Sequence, residues 1–392
     1  MNILMLLESD FPPDIRVENE IKALSNVGHK IFLICPTKTK RSNEQVNDHL
    51  YILRSPISKF IYKSKVGQLK FPFYNNYWKK IITKQLRKIE FEINLIHIHD
   101  LSLASVGVWL KNKINVPLLM DLHENYPYLI KDALHTQKGI GKWLSDYKSW
   151  VKFESKVVTK ADYICCVVEE MKERLMQFEP NEKKYLVYQN VVDASEIEAF
   201  KPKKITENFE LIYVGGITPA RGIQTVIEAI KILNQQNIFI HFSIYGDGSY
   251  REQLEKLVDL YRLNELVNFH GSISQKDVFT KIKKSNLAII PHHRSVQNNC
   301  SSPNKLFQYL SQGTPVIVSN CDSLKRIVNK HFVGFVYTDN DPNDLASNLK
   351  KAVDQKEALV QMGINGSNIV KNLYNTEIEG EKLQTFYSKI LE

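Results

Sequence analysis

SSPNKLFQYLSQGTPVIVS, residues 301 to 319, sets small polar residues and a lysine at the mouth of an apolar segment that runs into a strand-like one. Ser301, Ser302 or Asn304 can cap a helix there, and Pro303 suits a first turn because its missing N–H is not needed. Lys305 in that turn has the wrong sign for the helix dipole. A bound anion resolves the conflict; a lysine stretching to solvent is the alternative. A second cation, Arg221, follows VGGITP. Gly215 and Gly216 allow a tight turn after a strand. Arg221 is then expected at the start of the next helix, where unpaired N–H groups favour an anion. It can grip a phosphate bidentately, or stand exposed on a loop with nothing bound. Two cationic helix mouths suggest a diphosphate. Gly246-Asp247-Gly248 follows another strand, and such a turn is weak evidence by itself.

A second group is acidic and imidazole-bearing. His97 and His99 fall on one face of a strand. Asp100, Asp121, His123 and Glu124 lie near two strand ends. Imidazoles with carboxylates can hold zinc, which gives one rival activity: a metal-dependent hydrolase using His97, His99 and His123.

Both groups need a scaffold of strand ends. Residues 2–7 read as a strand, FPPDIR as a loop, and Val17, Ile21, Leu24 and Val27 as one face of a helix closed by Gly28. KIFLIC is the next strand. The order recurs with LIYVGG, ITPARG, the stripe Ile223, Val226, Ile227, Ile230 and Leu233, and IFIHFSIYG. INLIHIHD, VPLLMDLHE and YICCVV continue the first half; LVNFHGSI, NLAIIPHH, PVIVSN and GFVY continue the second. Apolar β-branched runs alternating with helices predict α/β architecture with parallel sheets covered on both faces. The expected organisation is two Rossmann-like doubly wound domains, residues 1–195 and 205–370, joined through the polar KPKKITEN. A helical segment, residues 371–392, must dock its Tyr374, Leu383, Phe386, Tyr387 and Ile390.

The chain has 392 residues, 43% hydrophobic and 24% charged, ordinary for a folded protein with a sizeable core. Five cysteines without a C-x-x-C pair suit reduced thiols. No signal peptide or spanning segment is read, so the expected location is the cytoplasm. The net charge of +9 is concentrated. Arg54, Lys59, Lys63, Lys65, Lys70, Lys79, Lys80, Lys84, Arg87 and Lys88 occur without an intervening Asp or Glu, threaded with Phe60, Tyr62, Phe71, Phe73, Tyr74, Tyr77 and Trp78. Nucleic acid and an anionic membrane both fit a basic stretch. Interfacial aromatics favour the membrane, and a solvated basic face is the plain alternative.

With FPPDIRVENEIKALSNVGHKI, IHIHDL, MDLHENY, VGGITPARGI, the GDG turn and SSPNKLFQYLSQGTPVIVS in this order, the chain resembles GT-B glycosyltransferases of the large retaining family 4 over nearly its whole length. The resemblance implies two facing domains with an interdomain cleft and a C-terminal helix crossing back onto the first. It implies a nucleotide-sugar donor, UDP- or GDP-linked, on the second domain, an acceptor glycan or lipid on the first, and no bound metal or other cofactor. Nucleic acid is not an expected partner. Position by position, Arg221 and Lys305 match the diphosphate cations. Ser302, Pro303 and Asn304, with Ser301 beside them, match the cradling loop. His270 and Gly271 match the nucleobase contact, His123 a histidine at the donor sugar, and Asp100 a residue facing the cleft. An E-x7-E motif common in the family is replaced by Cys300 and Gln308; the Gln308 amide can still bond a ribose diol. Gly216 stands where an Arg often adds to the diphosphate site. The implied activity is retaining sugar transfer in polysaccharide or glycolipid synthesis, peripheral to the inner membrane face. A non-catalytic sugar-nucleotide-binding subunit and a GT-B epimerase are the other readings.

Overall fold

The structure, a computed structural model, describes residues 1–39, 41–132, 139–196, 208–301 and 304–391. The chain divides into two units, Met1–Gln189 with Glu379–Glu392, and Asn190–Ile378. The joining stretch KPKKITEN falls largely on residues 201–207, and that part lies outside the described residues.

The first unit is built on β1 (Asn2–Leu6), β2 (Lys30–Thr37), β3 (Glu44–Asn47), β4 (Leu50–Pro56), β5 (Leu95–His99), β6 (Leu118–Leu122), β7 (Tyr163–Cys166) and β8 (Tyr185–Val187). Their order in the sheet is β3-β4-β2-β1-β5-β6-β7-β8, parallel except where β3 runs against β4. β3 is exposed throughout and short, as an edge strand should be. β1 has parallel neighbours on both sides, β2 and β5, so strand order reverses there. Ligands of doubly wound sheets bind beyond the carboxyl ends at such a reversal. In this unit that end is occupied by Glu8 and Asp100.

The second unit carries β9 (Phe209–Val214), β10 (Ile240–Tyr245), β11 (Val267–Gly271), β12 (Leu287–Ile290), β13 (Val316–Ser319) and β14 (Gly334–Tyr337), ordered β11-β10-β9-β12-β13-β14. Alternation within β9 shows why its apolar run is continuous. Phe209, Leu211 and Tyr213 enter one hydrophobic cluster, while Ile212 and Val214 join the other. Both faces are covered by helices, and water is excluded from both. The reversal lies at β9, between β10 and β12. Gly215-Gly216 and Pro291-His292 follow those two strand ends.

The C-terminal segment forms two helices, Lys356–Asn372 and Thr376–Leu391. Tyr374 belongs to a core cluster of the second unit. Leu383, Phe386 and Tyr387 belong to the core of the first, alongside Ile3, Met5 and Leu24. No helix among the described residues is long and apolar enough to cross a membrane.

Candidate active site

In the first unit the site grows from a helix that breaks its own apolar pattern. Ile15–Asn26 is capped by the Asp14 carboxylate, which accepts from the Val17 N–H at 3.2 Å. Its buried face carries Val17, Ile21 and Leu24, and also Arg16 and Glu20, one turn apart. Arg16 Nη2 and Nε donate to the two Asp121 oxygens at 2.8 and 3.0 Å, and Nη1 donates to the Tyr188 carbonyl at 2.8 Å. Glu20 Oε1 lies 3.2 Å from Arg16 Nε. Burial raises the Glu20 carboxyl well above its usual range, and Asp121 pushes it the same way.

β5 and β6 add the imidazoles. His97 and His99 share a face of β5 with ring centroids 4.4 Å apart. His123, just past β6, lies 2.7 Å from Asp121 Oδ2 through Nε2, 3.1 Å from His99 Nδ1 and 3.7 Å from Asp100 through Nδ1. Burial works against its protonation, but Asp121 and Asp100 outweigh it and raise the imidazole to about 9. His123 is thus an imidazolium at neutral pH. Asp121 is desolvated too, yet Arg16 and His123 hold it well below the carboxylate range. Burial lifts Asp100 to about 6, against the pull of His123. Its backbone stands at φ 71° and ψ 150°, a region that essentially only glycine occupies without strain.

Glu8, at the end of β1, collects three donors: Lys65 Nζ, Ser102 Oγ and, at 3.1 Å, the Tyr74 hydroxyl. Sequence reasoning passed over it and Glu20 as site residues, and took Arg16 only as part of the first loop, FPPDIR. The available signal was a charged pair at helical spacing on an otherwise apolar face.

Glu20, His99, Asp121 and His123 bring ligand-type atoms within 4.8 Å of one another. The set fits a metal poorly. Both Asp121 oxygens already receive a guanidinium, and that cation and the His123 proton compete with any added one. His97 is not among these ligand atoms; its Nδ1 lies 2.7 Å from the Tyr387 hydroxyl. The arrangement is that of a charge-paired hydrogen-bond network.

The second unit carries the cationic half. Arg221 ends a 3-10 turn, Pro219–Arg221, and Gly222 separates it from the helix Ile223–Gln235. It therefore stands just ahead of the helix and not in its first turn, because Gly222 takes a left-handed φ of 69° to start the helix. Its Nη1 donates to His292 Nε2 at 3.0 Å. Lys305 does not stretch to solvent. Its Nζ sits 4.4 Å from the Tyr213 ring centroid and 3.3 Å from the Tyr213 hydroxyl. That hydroxyl donates to the Gly216 carbonyl at 2.8 Å. Gly215 stands at φ 142°, which side-chain-bearing residues rarely adopt, and a Cβ there would lie 2.6 Å from Lys305 Nζ and displace the lysine end. Burial, with help from Arg221, pushes the Lys305 pKa well below its ordinary value. His292 is pushed down by burial and then by Lys305 and Arg221. Among the described residues no carboxylate pairs with Arg221 or Lys305.

Gly215 and Gly216 also line a cavity of about 350 Å³ with Tyr245, Asp247 and Ile273. At its edge His270 stacks on Tyr245, centroids 4.5 Å apart and planes 13° apart. Gly271 follows at φ 71°. Ser301 Oγ donates to the Asn298 carbonyl at 3.2 Å, so this hydroxyl is turned back onto its own loop. Asn304 opens the helix Asn304–Ser311 and is exposed; Gln308 is half-buried on it. Ser302 and Pro303 lie outside the described residues.

The comparisons with known proteins agree with this architecture. The model for "Glycosyltransferase Family 4" matches residues 15–196, and that for "Glycosyl transferases group 1" matches residues 194–369. An uncharacterized glycosyltransferase of Methanocaldococcus jannaschii is 25% identical over 91% of this chain and 89% of its own length. The alpha-monoglucosyldiacylglycerol synthase of Streptococcus pneumoniae is 21% identical over 99% of this chain and 85% of its own. Among solved structures, Anabaena HepE in complex with UDP superposes with a TM-score of 0.72 at 15% identity, covering 99% of this chain and 100% of that one. With two domain models running almost end to end along it, and a sheet pair of the corresponding design, the chain belongs to the GT-B glycosyltransferases.

Proposed function

We propose that the protein moves a sugar from a nucleoside-diphosphate sugar, UDP- or GDP-linked, to a hydroxyl acceptor with retention at the anomeric carbon. The observation that carries this reading is the pair Arg221 and Lys305. A pair of cations, Lys305 desolvated and neither with a carboxylate partner among the described residues, at the reversal point of a parallel sheet, is poised for an anion that arrives with the substrate. The solved complex of Anabaena HepE with UDP supports a nucleotide in that role.

In the reaction the bond from the anomeric carbon to the diphosphate oxygen breaks, and the acceptor oxygen bonds to the same face of that carbon. The acceptor proton passes to an oxygen of the leaving diphosphate. Arg221 and Lys305 stabilise the charge on that group, so no metal is required in this reading. The stacked His270–Tyr245 pair and the cavity beside Gly215 receive the base, and Gln308 bonds the ribose. Asn304 and Lys305, at the start of the helix Asn304–Ser311, meet the phosphates. His123, held as an imidazolium by Asp121, bonds a sugar hydroxyl, and Asp100 orients the acceptor. The acceptor is a glycan or a lipid-linked sugar, reached from the cytoplasmic side of the membrane.

Incubating the protein with UDP- and GDP-sugars and following the anomeric proton of the released or transferred sugar by NMR tests this. The α-configured donor should give an α-configured product. A β product, or nucleotide binding without turnover of any donor or acceptor, would contradict it. The second outcome would favour a sugar-nucleotide-binding subunit, the reading that Cys300 and Gln308 in place of paired glutamates suggests.

A further inference from the structure

The basic stretch predicted from sequence is not one surface. Arg54 is buried in β4, donates to the carbonyls of Ser42 and Phe11, and pairs with Glu44 at 3.0 Å. Lys65 turns inward to Glu8. The other eight cations, from Lys59 to Lys88, have no carboxylate partner among the described residues. Removing the two internal cations leaves an outer face with a definite shape.

That face has an apolar ridge. Phe60, Phe71, Phe73 and Trp143 are 65%, 38%, 48% and 58% exposed, well beyond what a scattered surface residue needs. They also touch. Phe60 and Phe73 have centroids 5.8 Å apart, Phe71 and Phe73 6.1 Å, and Phe71 and Trp143 6.1 Å. Lysines flank the ridge: Lys70 lies 4.0 Å over the Trp143 ring and Lys38 4.1 Å over that of Tyr62. The inner side of the same segment is fastened down. Lys65 and Tyr74 bind Glu8, and the Tyr77 hydroxyl donates to the Pro56 carbonyl at 3.0 Å. The ridge is therefore presented ready-formed, with little ordering cost on binding.

We propose that this ridge docks the protein on an anionic bilayer, the four aromatics entering the headgroup boundary while the surrounding lysines meet lipid phosphates. Aromatic rings prefer that depth, and the sign of the charge selects the anionic surface. The docking deepens the proposed function by naming a membrane as the source of the acceptor. It rests on that reading only for this purpose.

The full chain is floated with vesicles of phosphatidylcholine alone and with vesicles rich in phosphatidylglycerol, at low and high salt. Flotation is expected only with the anionic vesicles at low salt. The exposed-site variant Phe60→Ser/Phe73→Ser should reduce partitioning at least tenfold with an unchanged circular dichroism spectrum. Lys59→Glu/Lys63→Glu should reduce it by about fivefold or more per charge changed. No flotation of the parent chain, or an aromatic variant that floats equally well, overturns the proposal. So does equal binding of duplex DNA by parent and aromatic variant, which marks a polyanion surface, or a dimer that the aromatic variant dissociates. Donor turnover without vesicles is measured alongside. Turnover without flotation sinks the docking alone, and flotation without turnover sinks the transferase reading alone.

Discussion

At the scale of single residues, Asp100 is the clearest departure from what stability alone would select. Its φ of 71° with ψ of 150° belongs to glycine, and holding another residue there costs about 1–3 kcal/mol. Its carboxyl is only half-buried, and the nearby Glu8 charge adds to the desolvation that lifts it. Asp100→Gly should unfold at higher denaturant than Asp100→Ala, because only glycine relieves the backbone, while both lose turnover. Equal stability of the two would mean that no strain is stored. The titration of the same corner gives a second expectation. Turnover should rise with pH as Asp100 ionises near about 6 and fall as His123 loses its proton near about 9. The two limbs are macroscopic values of an interacting pair. A pH–rate profile of donor consumption reads both, and a flat basic limb would remove His123 as an imidazolium.

At the scale of elements, the helix Ile15–Asn26 shows what a sequence can and cannot disclose. Its apolar stripe and its cap at Asp14 are local, and both could be read directly. Arg16 and Glu20 could not, since their partner Asp121 lies 105 residues away from Arg16. Arg16→Met should destabilise the protein by about 3–5 kcal/mol, because the buried Asp121 loses its guanidinium and keeps only His123 as a counter-charge. Chemical denaturation measures this, and a loss below about 1 kcal/mol would show that His123 alone suffices. The strands divide in the same way. β1, β5, β6, β9, β12 and β13 are buried β-branched or leucine runs and stand out. β3 is the exposed EQVN, β8 only the three residues YLV, and β4 contains Arg54 and Pro56. Those three take their identity from neighbours in the sheet. Arg54 counted as a surface cation for the same reason: the carbonyls that absorb it come from distant loops. Arg221 and Lys305 stood out in the sequence for local reasons, Arg221 by following Gly215-Gly216 after a strand and Lys305 by its place in the first turn of the helix Asn304–Ser311. Tyr213 and His292, which receive them, carry no local sign of that role.

At the scale of the molecule, the two units divide the chemistry. The first stores paired charges, with Arg16 and His123 set against Asp121 and Asp100. The second holds cations that its own described residues leave uncompensated. That imbalance is the central physical claim, since a protein spends folding stability to keep Lys305 desolvated and recovers it when an anion binds. The direct measurement is titration calorimetry of the full chain with UDP and GDP, and with uridine and guanosine, repeated on Lys305→Met. The account predicts that one diphosphate binds, that its nucleoside binds at least a hundredfold more weakly, and that Lys305→Met loses the diphosphate while melting no lower than the parent. Equal affinity for nucleoside and diphosphate, or an undiminished diphosphate affinity in Lys305→Met, would contradict it.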